Sequence, residues 1–265
     1  MSAPKNNCLI LGAGRSGTSL TALLLERAGY HVYTKSYPPD EGNPLGYFED
    51  LDMISANEGI LRTTYRSAWQ RLSRAMRGKP NITGTGAWLL DLDFRRLKNI
   101  NLTVEDTAKF IELFSHVPFA YKDPRFSFTL RAVRPLIPNN TVYVCVFRDP
   151  LQVVKSTKKH ALGSNIVPDD KYCFAVWDSH YRCILQHYRE TGGQWLFISY
   201  QSLIEGNAVS RLAKFLDVRL DESLVKTELS RSTTEGTIPK RIAELYQELK
   251  SLEDCRVEED ALDRA

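Results

Sequence analysis

The stretch GAGRSGTSL, Gly12 to Leu20, places three glycines, one guanidinium and three hydroxyls between an apolar run, CLIL, and a helical pattern, TALLLERAGY. Successive backbone N–H groups from Gly14 to Ser19, set against the positive end of the following helix, bind anionic oxygens whatever atom carries them. On the P-loop template G-x-x-x-x-G-K-[ST], Gly12, Gly17 and Ser19 fall into register, but Thr18 occupies the lysine position. In nucleotide triphosphatases that lysine spans the β- and γ-phosphates and the last Ser/Thr holds magnesium. A loop with Thr18 there and Arg15 as its cation suits an anion that carries less charge at its far end and needs no metal. Gly12, Gly14 and Gly17 alone would serve any tight strand-to-helix turn; Arg15 and the hydroxyls of Ser16, Thr18 and Ser19 weigh toward anion binding.

A second group lies in VFRDPLQVVKS, Val146 to Ser156. The run TVYVCVF is apolar and β-branched, as a strand buried on both faces requires. Arg148 follows it directly, at the carboxyl edge where ligands of α/β proteins sit. Asp149 offers Arg148 a local partner, and Pro150 fits the first turn of a helix. Ser156 draws its interest only from its spacing to Arg148.

Taken in this order, the two segments resemble the nucleotide-binding segments of sulfotransferases that use 3′-phosphoadenosine 5′-phosphosulfate (PAPS). GAGRSGTSL is similar to that family's 5′-phosphosulfate loop, a basic residue followed by Ser/Thr-Gly-Thr-Ser/Thr, and VFRDPLQVVKS to its 3′-phosphate segment. The resemblance implies that Gly14, Arg15, Ser16, Gly17, Thr18 and Ser19 hold the 5′ side and that Arg148 and Ser156 contact the 3′-phosphate. It also implies that Tyr200, in ISYQSLIEGNAVSRLAKFLDV, lies near the nucleotide, although a core aromatic reads equally well there. GYFEDLDMISANEGIL and YKDPRFSFTL look like segments of a bacterial branch in which a KDPR motif recurs. The likeness runs from Cys8 to Val218 and weakens from Arg219 onward. For the glycine-bearing basic motif that closes the nucleotide site in animal cytosolic enzymes, SRSTTEGTIPKR is the one candidate.

The implied chemistry is in-line sulfuryl transfer to a hydroxyl, less favourably an amine, of a small-molecule, lipid or carbohydrate acceptor, without a metal. Charge builds on the bridging oxygen, so Arg15 and the loop amides would stabilise the leaving phosphate and Lys122 would assist at the sulfonate. A base must take the acceptor's proton. Many family members use a histidine in a Lys-Thr-His motif, where this chain has Asp123 and Pro124. Other branches use a glutamate from the loop after the first helix, here Glu49 in GYFED. Beside Tyr47 and Phe48 that carboxyl is expected to be partly desolvated, with a raised pKa. Its competing use is to cap a helix beginning near Asp50, and Glu49 ranks just ahead of Asp123. His31 and His116 read as structural. Two other functions stay open: an ATP- or GTP-dependent kinase with Asp149 as its magnesium carboxylate, and a nucleotide-binding protein without catalysis.

The elements that must position these groups alternate. After CLIL and its helix, Gly29 is a helix stop and HVYT reads as a short second strand. Helical spacing follows from Leu51 through RSAWQRLSRAMRG, and Thr103 with Asp106 predicts a capped helix through Phe114. FAYKDPRFSFTLRAVRPL reads as strand, turn and helix. TVYVCVF and WLFISY are further strands, DKYCFAVWDSHYRCILQHYRE a long helix and AVSRLAKFLDV another. Such alternation predicts an α/β, three-layer fold, a central parallel sheet flanked by helices and P-loop NTPase-like, as one domain over 1–265. The acceptor pocket falls to Thr34–Asp50 and Thr64–Asn101, which carry Trp69 and Trp88. With 43% apolar residues the 265-residue chain can bury a substantial core, and a net charge of +3 does not suit a general nucleic-acid binder. Five cysteines, an odd number without C-x-x-C spacing, predict reduced thiols. With no long apolar run and no leader read at the start, a cytoplasmic protein without a membrane span is expected.

Overall fold

In the computed structural model, residues 5–39, 43, 46–64, 92, 100–161, 167–225 and 236–262 are described. Four parallel strands form one sheet, β1 (Asn7–Leu11), β2 (Ala120–Lys122), β3 (Thr141–Phe147) and β4 (Trp195–Ser199), in the order β2-β1-β3-β4. The register sets Ile10 beside Lys122, Leu11 beside Cys145 and Phe147 beside Ser199, so all four strands end along one edge.

Side chains alternate across the sheet with period two, and each set finds its own core. Cys8, Ile10, Val142, Val144, Val146, Leu196 and Ile198 pack against α1 (Thr18–Arg27), α7 (Tyr200–Ile204) and α8 (Asn207–Leu216). Leu9, Leu11, Tyr121, Tyr143, Cys145, Phe147, Trp195 and Phe197 face the other way. They meet α2 (Leu51–Thr64), α3 (Val104–Leu113), α4 (Phe126–Val133), α5 (Pro150–Ala161), α6 (Asp170–Thr191) and α9 (Lys240–Leu262). Burying each large side chain on these faces is worth about 1.5 to 3 kcal/mol, which is why the strands are nearly uninterrupted apolar runs. The chain is thus the α/β three-layer structure that the alternation predicts.

Local signals hold where they are chemical. Thr103 Oγ1 accepts from the Asp106 amide (3.0 Å), and Asp106 Oδ2 accepts from the Thr103 amide (3.2 Å), closing a capping box on α3. Pro150 is the first residue of α5, and Gly29, at φ 88°, follows the end of α1.

HVYT is a correction. It is one isolated bridge, His31 to Phe119, and not a strand. After the His31 amide meets the Pro118 carbonyl (2.9 Å), the chain turns off the sheet edge because the Thr34 amide donates to Asp50 Oδ2 (2.6 Å). The α9 helix was not anticipated at all. Ile242, Leu245 and Leu249 join the core, and Glu253 Oε1 accepts from the Ser199 amide at the end of β4 (2.9 Å). Helical spacing beyond Thr64, together with Trp69 and Trp88, lies outside the described residues, as does the first half of SRSTTEGTIPKR, residues 230–235.

Cys8, Cys145, Cys173 and Cys183 are buried thiols, not members of disulfides. His31 and His116 stack on each other (centroids 4.6 Å apart) against Tyr121, consistent with structural use. Among the described residues no helix is long and apolar enough to cross a membrane.

Candidate active site

Every strand delivers a candidate residue to its carboxyl end: the Gly12–Gly17 loop from β1, Lys122 from β2, Arg148 after β3 and Tyr200 after β4. The loop is shaped by what lies under it. A Cβ on Gly12 would sit 2.4 Å from the Val146 carbonyl oxygen, and one on Gly17 would sit 2.5 Å from Tyr200 Cδ2. Gly17, at φ 99°, is the N-cap of α1 and supplies no side-chain cap, so the first-turn amides of Thr18 and Ser19 keep their donors for another acceptor. Arg15 also has a positive φ, 68°, uncommon for a residue with a side chain. Ser16 and Thr18 are buried beneath it. The Tyr181 hydroxyl on α6 lies 2.8 Å from Ser16 Oγ and 2.9 Å from the Val146 carbonyl oxygen, tying loop to sheet.

Arg15, Ser156, Arg148 and Tyr200 form one cluster. Arg15 Nε donates to Ser156 Oγ (3.1 Å), and Arg148 Nη1 reaches the Arg15 carbonyl (3.4 Å). The Arg148 guanidinium lies 4.1 Å over the Tyr200 ring and donates through Nε to Gln152 Oε1 (2.9 Å). Burial and the neighbouring charge of Arg15 lower the Arg148 pKa, against opposing effects of Tyr200 and Asp149. The free protein therefore holds positive charge at an energetic cost that an incoming anion would relieve. The Trp177 indole steadies this corner by donating to the Arg148 carbonyl (3.2 Å). Asp149 Oδ1 accepts from the Gln152 amide (3.1 Å) in the first turn of α5, a capping use that gives no support to a magnesium carboxylate.

A second cluster forms beside β2. Lys122 pairs with Glu49 Oε1, and Arg125 Nη1 lies 3.9 Å from Glu49 Oε2. The loop carrying Glu49 is held to the first by Ser19 Oγ, which donates to the Tyr47 carbonyl (3.2 Å). Phe48 precedes Glu49 with φ 55° and packs into the α1-side core, against Tyr33. Glu49 is therefore ion-paired, where an aromatic setting was expected. Nor does it cap α2: Asp50 does, with Oδ1 accepting from the amides of Asp52 (2.8 Å) and Met53 (3.1 Å).

Asp123 is fully engaged. Its Oδ1 accepts from the Arg125 amide (2.9 Å) and Nη1 (3.0 Å), its Oδ2 accepts from Asn57 Nδ2 (2.9 Å), and its side chain has 0% exposure against 12% for Glu49. Behind it, His180 on α6 lies 3.0 Å from Ser127 Oγ, and burial, with the charge of Arg125 adding to it, holds its pKa down to about 3.

Tyr181, Gln152, Trp177 and Asn57 received no role in the sequence reading, and Arg125 entered it only as the last residue of KDPR, two positions after the candidate carboxylate Asp123. Lys158, on α5, is partly exposed and paired with Asp170 (2.8 Å).

No curated protein sequence matches the chain. Solved structures that share its fold include two sulfotransferase domains. One is the sulfotransferase domain from the Synechococcus PCC 7002 olefin synthase (TM-score 0.54, 16% identity, 94% of this chain and 96% of that one). The other is the sulfotransferase domain from the curacin biosynthetic pathway (TM-score 0.51, 16% identity, 94% of this chain and 99% of that one). A profile of the sulfotransferase family matches residues 8–222, which takes in both clusters. On that match, the chain belongs to the sulfotransferase family.

Proposed function

We propose that this protein transfers a sulfuryl group from PAPS to a hydroxyl, less favourably an amine, of a small-molecule, lipid or carbohydrate acceptor. The observation that carries the reading is the convergence of Arg15, Ser156 and Arg148 over an α1 N-terminus without a side-chain cap. That donor set fits a ligand with phosphate at both its 5′ and 3′ ends. When bound, PAPS supplies the activated sulfuryl group. Acceptor hydroxyl and donor go to sulfate ester, adenosine 3′,5′-bisphosphate and a proton.

The residues divide the work. Arg15 and the amides from Gly14 to Ser19 hold the 5′ oxygens and stabilise the charge left on them. Arg148 and Ser156 hold the 3′-phosphate, with Tyr200 as the platform under Arg148. Glu49, the more accessible of the two carboxylates, takes the acceptor's proton. Lys122 places a positive charge at the same point. Asp123 serves the framework behind them. A single domain over 1–265 is supported by Glu253 of α9, which accepts from the Ser199 amide at the end of β4.

Calorimetric titration tests the donor site, with adenosine 3′,5′-bisphosphate in one arm and ATP with magnesium in the other. Tight, metal-independent binding of the bisphosphate is expected. Tight ATP binding that requires magnesium would replace the reading with a kinase. Turnover is then read as bisphosphate release from PAPS, with naphthol, dodecanol, methyl glucoside or water as the hydroxyl. Tight binding without release from any of them would leave a non-catalytic nucleotide binder.

A further inference from the structure

Arg125 ends the KDPR segment and lies outside both nucleotide-binding segments, yet it is 4% exposed and its guanidinium meets three carboxylates. Nη1 lies 3.0 Å from Asp123 Oδ1 and 3.9 Å from Glu49 Oε2, and Nη2 lies 3.0 Å from Glu58 Oε1. A planar fork does this; a single ammonium does not. The fork is itself held from behind. Asp123 is fixed by Asn57, and Asn57 Oδ1 accepts from Thr129 Oγ1 (2.6 Å). Asn57 and Glu58 lie on α2, the helix that begins just after Glu49. One helix therefore places the backbone of Glu49 and, through Arg125, orients its side chain.

The two oxygens of Glu49 are treated differently. Oε1 is paired with Lys122. Oε2 faces Arg125 at 3.9 Å, near enough for charge attraction but beyond hydrogen-bond reach, so its lone pairs are not spent on that contact.

We propose that Arg125 is a positioning residue that fixes the rotamer of Glu49 so that Oε2 is the atom presented to the acceptor's proton. This rests on Glu49 being the base. The test is a double-mutant cycle with E49Q, R125K and E49Q/R125K. It compares the saturated rate of bisphosphate release from PAPS, with the fastest of the four hydroxyls above, against the Kd for adenosine 3′,5′-bisphosphate.

R125K is expected to lower the rate at least about 10-fold, to change the Kd less than about 3-fold, and to cost nothing further in the E49Q background. A wild-type rate in R125K, or losses that multiply in the double variant, would overturn the inference while leaving Glu49 as base. A wild-type rate in E49Q would remove the base itself and the inference with it. Should R125K fail to fold, R125M/E58Q removes one charge of each sign from the buried cluster and carries the same measurement. A folded R125M/E58Q protein with the wild-type rate would likewise overturn the proposal.

Discussion

Arg148 and Arg125 are the same residue type at the same edge of one sheet, and their environments push them in opposite directions. Burial and Arg15 lower the pKa of Arg148, whose direct contacts are an amide oxygen, a carbonyl and the face of a ring. Burial also works against the charge of Arg125, but Asp123, Glu49 and Glu58 outweigh it and raise its pKa above the ordinary arginine value. The first region holds a cation that makes no ion pair with a carboxylate among the described residues. The second has already set three carboxylates around its cation. A buried arginine thus reads as a binding group or as framework according to the carboxylates within about 4 Å of it.

Four measurements press on that contrast. The largest effect belongs to the second region's accessible carboxylate: Glu49→Gln should lower turnover by about 100- to 10,000-fold, with bisphosphate affinity nearly unchanged, if it supplies the general base. Asp123→Asn is the paired control. It should be read in urea midpoint more than in chemistry, because it leaves Arg125 under-compensated in a buried site.

Next comes the first region's backbone. Gly17→Ala should abolish measurable nucleotide binding by calorimetry, since its Cβ would meet Tyr200 Cδ2 at 2.5 Å and φ 99° is strained for alanine. Binding retained within about 10-fold would show that the loop moves away from Tyr200 at little cost.

Third, Arg148→Ala should weaken bisphosphate binding by about 1.5 to 3 kcal/mol, the worth of a charge-assisted contact. An unchanged Kd in a folded variant would take Arg148 out of the site and collapse the comparison. The smallest effect is expected from Tyr181→Phe, which removes the hydroxyl linking Ser16 to Val146. About 1 kcal/mol of affinity should go, with turnover by the bound donor little altered.

How much of this was readable beforehand follows the range of the interactions. The glycine loop, the run TVYVCVF and the Thr103–Asp106 box depend on residues a few positions apart, and they stand where their spacing puts them. HVYT failed because its β-propensity competes with Asp50, sixteen residues on, for the Thr34 amide. Arg125, although it ends the KDPR segment, was given no role for a related reason: Glu49 and Glu58 reach it only through the placement of α2. The same holds for Tyr181, 165 residues from the serine it touches.

The sequence by itself determined the fold class and the strand-to-helix placement of the glycine loop, because strands, turns and helix starts answer to short-range sterics and hydrogen bonding; that Ser156 meets Arg15 came only with the fold. It left two carboxylates nearly level as the base. Only the tertiary structure sets them apart in burial and contacts, sealing Asp123 behind Arg125 and Asn57 while leaving Glu49 partly open. Burial and charge compensation are properties of what the folded chain gathers around a group, and neighbours drawn from distant segments are not written in that group's own vicinity.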